Sequence, residues 1–276
     1  MWELLSRHGF HLRKSMGQNF LIDPNIPEKI ARLSGIDGTC AVLEVGPGFG
    51  ALTAALARVA KSVTALELDS RLLPILHETV GSLPNVEIVQ GDILKQDFSK
   101  IAEEKMKGTS FHVCANLPYN ITTPALTAII DSGVFHTITV MVQREVARRI
   151  CAQPGSSDYG AFTVYANYHT VPETLFDVPP SCFVPQPKVF SSVIFMKSRL
   201  KRLLAPEEEA MFFRVVKAAF AQRRKMLVNA LFAAFSATHS KPDITQAVCK
   251  CGFDVTIRGE MLGTDDFITL SSMMAH

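Results

Sequence analysis

The sequence lacks the marks of a metal centre and of a membrane anchor. Its six cysteines (Cys40, Cys114, Cys151, Cys182, Cys249 and Cys251) include no Cys-x-x-Cys pair, and Cys249-Lys250-Cys251 is too tight for a structural zinc knuckle. The histidines are scattered without ligand spacing, so no metal is expected and the thiols read as reduced cytosolic ones. No apolar stretch approaches the roughly 20 residues that span a bilayer, which argues against a membrane partner. The amino end is basic and poor in acid, weakly like a transit peptide, but has no long apolar segment or evident signal cleavage site; a cytoplasmic location is expected. There is a single Trp, no internal repeat and no low-complexity segment. Net charge is only +2, too little to argue for a nucleic acid from bulk charge.

What is present is an apolar fraction of 47% with 20% charged residues, enough for a substantial core and too few charges for disorder. A length of 276 residues allows one large domain and a small one. Basic residues are grouped: Arg7, His8, His11, Arg13 and Lys14; then Arg144, Arg148 and Arg149; then Arg214, Lys217, Arg223, Arg224 and Lys225. Acid concentrates elsewhere, as in Glu207-Glu208-Glu209. Such polarity suits a partner with a phosphate backbone.

Short apolar runs at Ala41-Val45, Val63-Leu68, Val86-Val89, Phe111-Ala115 and Ile138-Val142 read as strands, with helical patterns such as Leu52-Val59 and Arg71-Val80 between them. The alternation predicts an α/β fold with a parallel sheet wrapped by helices. Phe162-Tyr168 and Val189-Met196 read as two further strands, making seven with a late antiparallel pair, a Rossmann-like methyltransferase sheet rather than a six-stranded dinucleotide sheet. The character changes near Lys197-Leu204. Residues 1–200 are therefore expected to form the catalytic domain and 201–276 a small all-helical, RNA-facing domain. Pro206 with three following acids is a strong helix start. From Phe212 to Phe235 the periodicity is helical: Phe212, Val216, Ala219, Leu227, Ala230 and Ala234 share one face, and Arg214, Lys217, Arg224 and Lys225 the other. Arg223 falls in the apolar stripe and is expected to be paired or to lie across the domain seam.

The chemistry concentrates at strand ends. Leu43 to Thr53 is a strand, a G-x-G-x-G turn (Gly46, Gly48, Gly50) and a helix start. Alone this pattern also marks an ordinary tight strand–helix turn. Glu67, ending the second strand, can accept both ribose hydroxyls of a nucleoside cofactor, and Asp92, after the third, its adenine amino group. NAD would want G-x-G-x-x-G and a helix terminus open to pyrophosphate, whereas S-adenosyl-L-methionine (SAM) needs only close main-chain approach. The loop therefore favours SAM modestly.

Asn116-Leu117-Pro118-Tyr119, at the end of the fourth strand, favours it strongly. The Asn116 carboxamide oxygen and the Leu117 carbonyl can accept both hydrogens of an adenine amino group, which pyramidalises a nitrogen whose lone pair is otherwise delocalised. Pro118 stiffens the turn. Tyr119 can stack on one face of the base and Phe183 on the other; a plain core phenylalanine is the alternative for Phe183, but its setting between prolines favours an ordered surface loop. A flipped or single-stranded base is expected.

Arg13-Lys14-Ser15-Met16-Gly17-Gln18-Asn19-Phe20-Leu21, the Glu44–Thr53 loop, Asn116–Tyr119, Gln143–Arg149, Phe183–Val189 and Phe220–Lys225, in this order, resemble the KsgA/RsmA family of small-subunit rRNA adenine N6,N6-dimethyltransferases. Departures are small: Met16 stands where leucine is common, and Met226 where threonine is. The resemblance implies that Asn19 and Leu21, with Gln18 beside them, close over SAM, and that Gly46, Glu67, Asp92 and Asn116 complete its site. It further implies dimethylation of two adjacent adenosines near the 3′ end of 16S rRNA within the assembling small subunit, by a monomer. Arg144, Arg148, Arg223, Arg224 and Lys225 are the expected RNA-binding residues, mostly through phosphates, although the helical basic face could simply be solvated. The rivals are a large-subunit enzyme of the macrolide-resistance type and an RNA-binding assembly or transcription factor on the same fold; an NAD oxidoreductase is more distant.

Overall fold

The computed structural model describes residues 7–9, 19–199 and 201–275. Most of the Arg13–Leu21 motif, including Gln18, lies outside them; Asn19, Phe20 and Leu21 lie within.

Seven strands form one sheet: β2 (Cys40–Val45), β3 (Ser62–Glu67), β4 (Val86–Gln90), β5 (Ser110–Asn116), β6 (Thr137–Gln143), β7 (Thr170–Val178) and β9 (Ser191–Ser198), in the order β4-β3-β2-β5-β6-β9-β7. The first five pair in parallel. β9 then runs antiparallel to β6, with Thr137 opposite Lys197 and Gln143 opposite Ser191. β2 is buried along its whole length, as the centre of a sheet covered on both faces must be. The chain builds outward from β2 through β3 to β4, then returns to place β5 on the other side of β2. That reversal opens a crevice at the strands' carboxyl ends between β2 and β5, where α/β sheets bind ligands.

Two short strands stand apart from the sheet. β1 (Phe20–Leu21) pairs antiparallel with β8 (Phe183–Val184), Leu21 opposite Phe183. The ribbon ties the segment carrying Asn19 to the loop before β9.

Five expected strands are present within a residue or two of their predicted bounds, and Val189-Met196 corresponds to β9. Phe162-Tyr168 is different: it lies in the helix Ala161–His169. The strand expected there is the following segment, β7, whose solvent-facing residues and Pro172 mask its alternation. The helix wins because its aromatic side chains pack on other helices, Tyr168 stacking on Phe212 with ring centroids 4.7 Å apart.

The expected division at residue 200 is present, but Arg148–Val171 belongs to the second unit rather than the first. One compact unit comprises residues up to Ala147 with Pro172–Leu200; the other joins Arg148–Val171 to Lys201–His276. The second unit has its own core, centred on Tyr159, Tyr168, Phe212, Phe235 and Phe267. Its helix Pro206–Ala221 begins where the proline and acids predict, with Glu208 Oε2 accepting from Ala205 N at 3.0 Å. The expected helix through Phe235 is interrupted at Gln222–Met226 and resumes at Leu227–Phe235. A continuous helix would drive Arg223 into the core. The break lets its guanidinium donate to Glu260 Oε2 at 2.6 Å and to the Ser156 carbonyl at 3.1 Å. Arg223 is therefore paired, and within the helical unit.

The turn after β2 shows why its glycines are needed. Gly50 sits at φ 85°, and a Cβ there would lie 2.8 Å from Val80 Cγ1 and 3.0 Å from Thr79 Oγ1. Gly50→Ala is expected to destabilise the sheet unit by about 1–3 kcal/mol, through left-handed strain and the clash together. Urea unfolding followed by circular dichroism checks this; an unchanged midpoint contradicts it.

Candidate functional site

Two adjoining cavities open at the carboxyl ends of β2, β3, β4 and β5. The first is lined by Asn19, Phe20, Leu21, Glu44, the Gly46–Phe49 turn, Glu67 and Asn116 to Tyr119. The second, of about 290 Å³, is bounded by Gly46, Glu67, Leu68, Asp92, Ile93, Pro118 and Asn120. They share Gly46, Glu67 and Pro118, so they form one cleft along the sheet edge.

The strand ends aim the polar groups. β5 ends at Asn116, which lies opposite Met141 of β6, and the Leu117 N–H continues the pairing by donating to the Met141 carbonyl at 3.2 Å. The chain then turns at Pro118, whose carbonyl accepts from Ile121 N and Thr122 Oγ1, both at 3.1 Å. The Asn116 amide has a defined orientation. Its Nδ2 donates to the Asn19 main-chain carbonyl at 3.0 Å, which leaves Oδ1 as the end available to accept. Tyr119 is half-buried, and its hydroxyl is held 2.6 Å from Ser191 Oγ on β9. Burial pushes that hydroxyl's pKa up, with the Ser191 bond pulling the other way, so it is neutral at working pH.

The glycine turn brings main chain against the cleft. Gly48 has φ 60°, and a Cβ on it would stand 3.0 Å from the Phe20 ring, which stacks on Phe49 at a centroid distance of 4.1 Å. Glu67 is 5% exposed and accepts from Asp69 N at 2.8 Å through Oε1. Burial raises its pKa, while the main-chain N–H groups of Asp69 and Gly48 offset part of the rise. Asp92 lines only the second cavity; its Oδ1 accepts from Leu94 N at 3.0 Å.

Glu44 is a site residue that the sequence reading passed over as part of a strand motif. It is 1% exposed, lines the first cavity, and its Oε2 has no hydrogen-bond partner among the described residues. An acid embedded in a run of otherwise apolar strand residues was the available signal.

Phe183 does not stand where a base-stacking role requires. It is 2% exposed, packs with Ile30, Leu56, Cys114, Met141 and Val193, and lines neither cavity. Its partner in β1 explains the placement: beneath the ribbon, the ring anchors the segment that carries Asn19. Of the basic residues, Arg144 is half-buried, 3.9 Å from Asp177 and stacked over the Phe190 ring. Arg148, Arg224 and Lys225 are exposed. None of them lines the cleft.

The cleft's charge tests which cofactor fits. Glu44, Glu67 and Asp92 line it, and among the described residues no Lys, Arg or His does. A pyrophosphate would meet three acids there, whereas a cationic sulfonium bearing ribose hydroxyls meets acceptors and close main chain. The residues present therefore fit SAM and oppose a dinucleotide. Among the described residues there is no cluster that could hold a metal ion, and no helix is long and apolar enough to cross a membrane.

A family model for ribosomal RNA adenine dimethylase matches residues 9–249. The ribosomal RNA small subunit methyltransferase A of Shouchella clausii is 45% identical over 273 residues, covering 98% of this chain and 92% of its own. Among solved structures, the 23S rRNA methyltransferase ErmE superposes with a TM-score of 0.73 at 25% identity, covering 94% of this chain and 100% of its own. A dimethyladenosine transferase from Plasmodium falciparum reaches a TM-score of 0.79 at 24% identity over 91% of this chain and 95% of its own, which establishes the shared fold. The chain belongs to the ribosomal RNA adenine dimethylase family.

Proposed function

We propose that this methyltransferase uses SAM to dimethylate the N6 amino groups of two adjacent adenosines near the 3′ end of 16S rRNA, in the assembling small subunit. The observation that carries this reading is the Asn116 amide, turned by the Asn19 carbonyl so that Oδ1 is the acceptor presented beside the acid-lined cleft. The small-subunit relative at 45% identity supports the small-subunit target over the large-subunit one, as ErmE matches at only 25%. A monomer acting in the cytoplasm is the matching expectation.

Gly46, Gly48, Glu67 and Asp92 would hold the cofactor, with Asn19 and Leu21 against its open side; Gln18 is proposed beside them on the family resemblance. When bound, SAM supplies an electrophilic methyl group. The chain's own part is to hold the acceptor. Asn116 Oδ1 and the Leu117 carbonyl would accept both N6 hydrogens, favouring a pyramidal nitrogen with a localised lone pair. Pro118 holds the turn in place before substrate arrives. Tyr119 would stack on the base, worth roughly 1–3 kcal/mol. The methylated nitrogen would shed its proton to solvent, so orientation of the amine by Asn116 and Leu117 would matter more than a strong base. Arg144, Arg148, Arg224 and Lys225 are proposed as phosphate contacts. Arg223 has its guanidinium engaged by Glu260 and would act by shaping the turn that displays Arg224 and Lys225.

Incubating the protein with labelled SAM and undermethylated small subunits, followed by nucleoside analysis, is expected to yield dimethyladenosine in 16S rRNA. Absence of dimethyladenosine from the 16S rRNA, with label appearing instead in large-subunit RNA supplied in a parallel incubation, would overturn the substrate assignment. Asn116→Ala should lower turnover about 10²–10³-fold, the scale of losing an oriented polar group, with little change in SAM affinity. Glu67→Ala should raise the SAM Kd by roughly ten- to a hundredfold, as for a lost charged hydrogen bond; equal Kd values would refute the ribose role. Charge reversal at Arg224 and Lys225 should weaken RNA binding and flatten the log–log salt slope by about one per lost phosphate contact. An unchanged slope returns that face to plain solvation.

A further inference from the structure

Glu44 is an acid that no cation faces among the described residues. It lies on β2 beside Ala65 of β3, 1% exposed, with Oε2 unpartnered among the described residues. The groups that bear on it are Glu67 from β3, the Cys114 thiol from β5 and the Thr53 hydroxyl from the helix Ala51–Ala57. The first can only repel it, and burial holds the thiol protonated. No described Lys, Arg or His is among them. Burial pushes the Glu44 carboxyl up to about 8; the Thr53 hydroxyl opposes the rise and the Glu67 charge adds to it. In the empty cavity near neutral pH, Glu44 therefore carries a proton. An acid buried without a cation, on the wall of a cavity that fits a cationic ligand, is half of a charge pair.

We propose that Glu44 is a proton-linked counter-ion for the cofactor, releasing its proton to solvent as the cation enters the cavity and regaining one from solvent when the cation leaves. This deepens, and rests on, the reading of SAM as the cofactor. A cation brought within a few ångströms lowers a carboxyl pKa by about 1–3 units. The bound form is then ionised over a pH window in which the empty form is not. Within that window SAM affinity must rise with pH, by up to about tenfold per unit for one linked proton, and level off once the empty-state carboxyl ionises as well. Glutamine mimics the protonated acid in shape and neutrality, so Glu44→Gln removes the linkage while preserving the packing.

The test is calorimetric titration of SAM into the full-length protein at about pH 6.5 in phosphate and in imidazole, two buffers of very different ionisation enthalpy. The wild type is expected to show a buffer-dependent enthalpy equivalent to about 0.2–0.9 proton released per SAM, according to how far the cation lowers the carboxyl. Glu44→Gln is expected to bind SAM without that release. Binding by the wild type with no buffer dependence, or equal release from both proteins, would overturn the linkage while leaving SAM as cofactor. Absence of SAM binding by the folded wild type would instead overturn the cofactor reading, and the linkage with it. Should Glu44→Gln fail to fold, the SAM Kd of Glu67→Gln, which removes the other buried acid on the wall, decides: a tightening of about two- to eightfold between about pH 6 and 7 supports the proposal, and a flat profile refutes it.

Discussion

The candidate site depends on one hydrogen bond, from Asn116 Nδ2 to the main-chain carbonyl of Asn19. A primary amide is nearly symmetric in shape, and rotation by half a turn would present two donors to a substrate that is itself a donor. A bond of this kind contributes only about 0.5–1.5 kcal/mol net, but it decides the sign of the interaction at the reacting nitrogen. The carbonyl is in place because Phe20–Leu21 pairs with Phe183–Val184, and that ribbon is in place because Phe183 is buried in the sheet unit's core. Packing below the sheet edge is thereby converted into the polarity of one side chain above it.

The electrostatics of the cleft follow from a similar economy. The strand ends deliver three carboxylic acids and the turn delivers main-chain N–H groups, with no basic residue on the walls among the described residues. A fold widely used for phosphate-bearing cofactors is thus made unwelcoming to phosphate without any change of topology. The G-x-G-x-G turn contributes nearness, since left-handed glycines and the absence of Cβ atoms bring backbone up to the cavity.

The parallel half of the sheet and the cleft were legible from the sequence, because short apolar runs ending in glycine or an acid carry their own boundaries. Other features required the tertiary structure. Phe162-Tyr168 has the aromatic and β-branched composition of a strand, and only its contacts with Phe212 and Phe213 make it helical. Phe183 between prolines looks like a loop residue, and nothing local discloses a two-residue ribbon covering it. The helix interruption at Gln222 could be suspected from Arg223 in an apolar stripe, but its partner Glu260 is 37 residues away. Glu44 was visible as an acid within a strand; its lack of a partner was not.

The helical unit is assembled from two stretches of chain separated by β7, β8 and β9. Its core is therefore incomplete on either stretch alone. A fragment cut at residue 201 would leave Phe212 without Tyr168 and Leu262 without the Tyr159 hydroxyl that donates to its carbonyl at 2.7 Å. On the ribosome that synthesises it, the helix Ala161–His169 must wait for the carboxyl-terminal third to emerge before its aromatic face is covered. Exchange of this unit between relatives thus calls for two grafts made together.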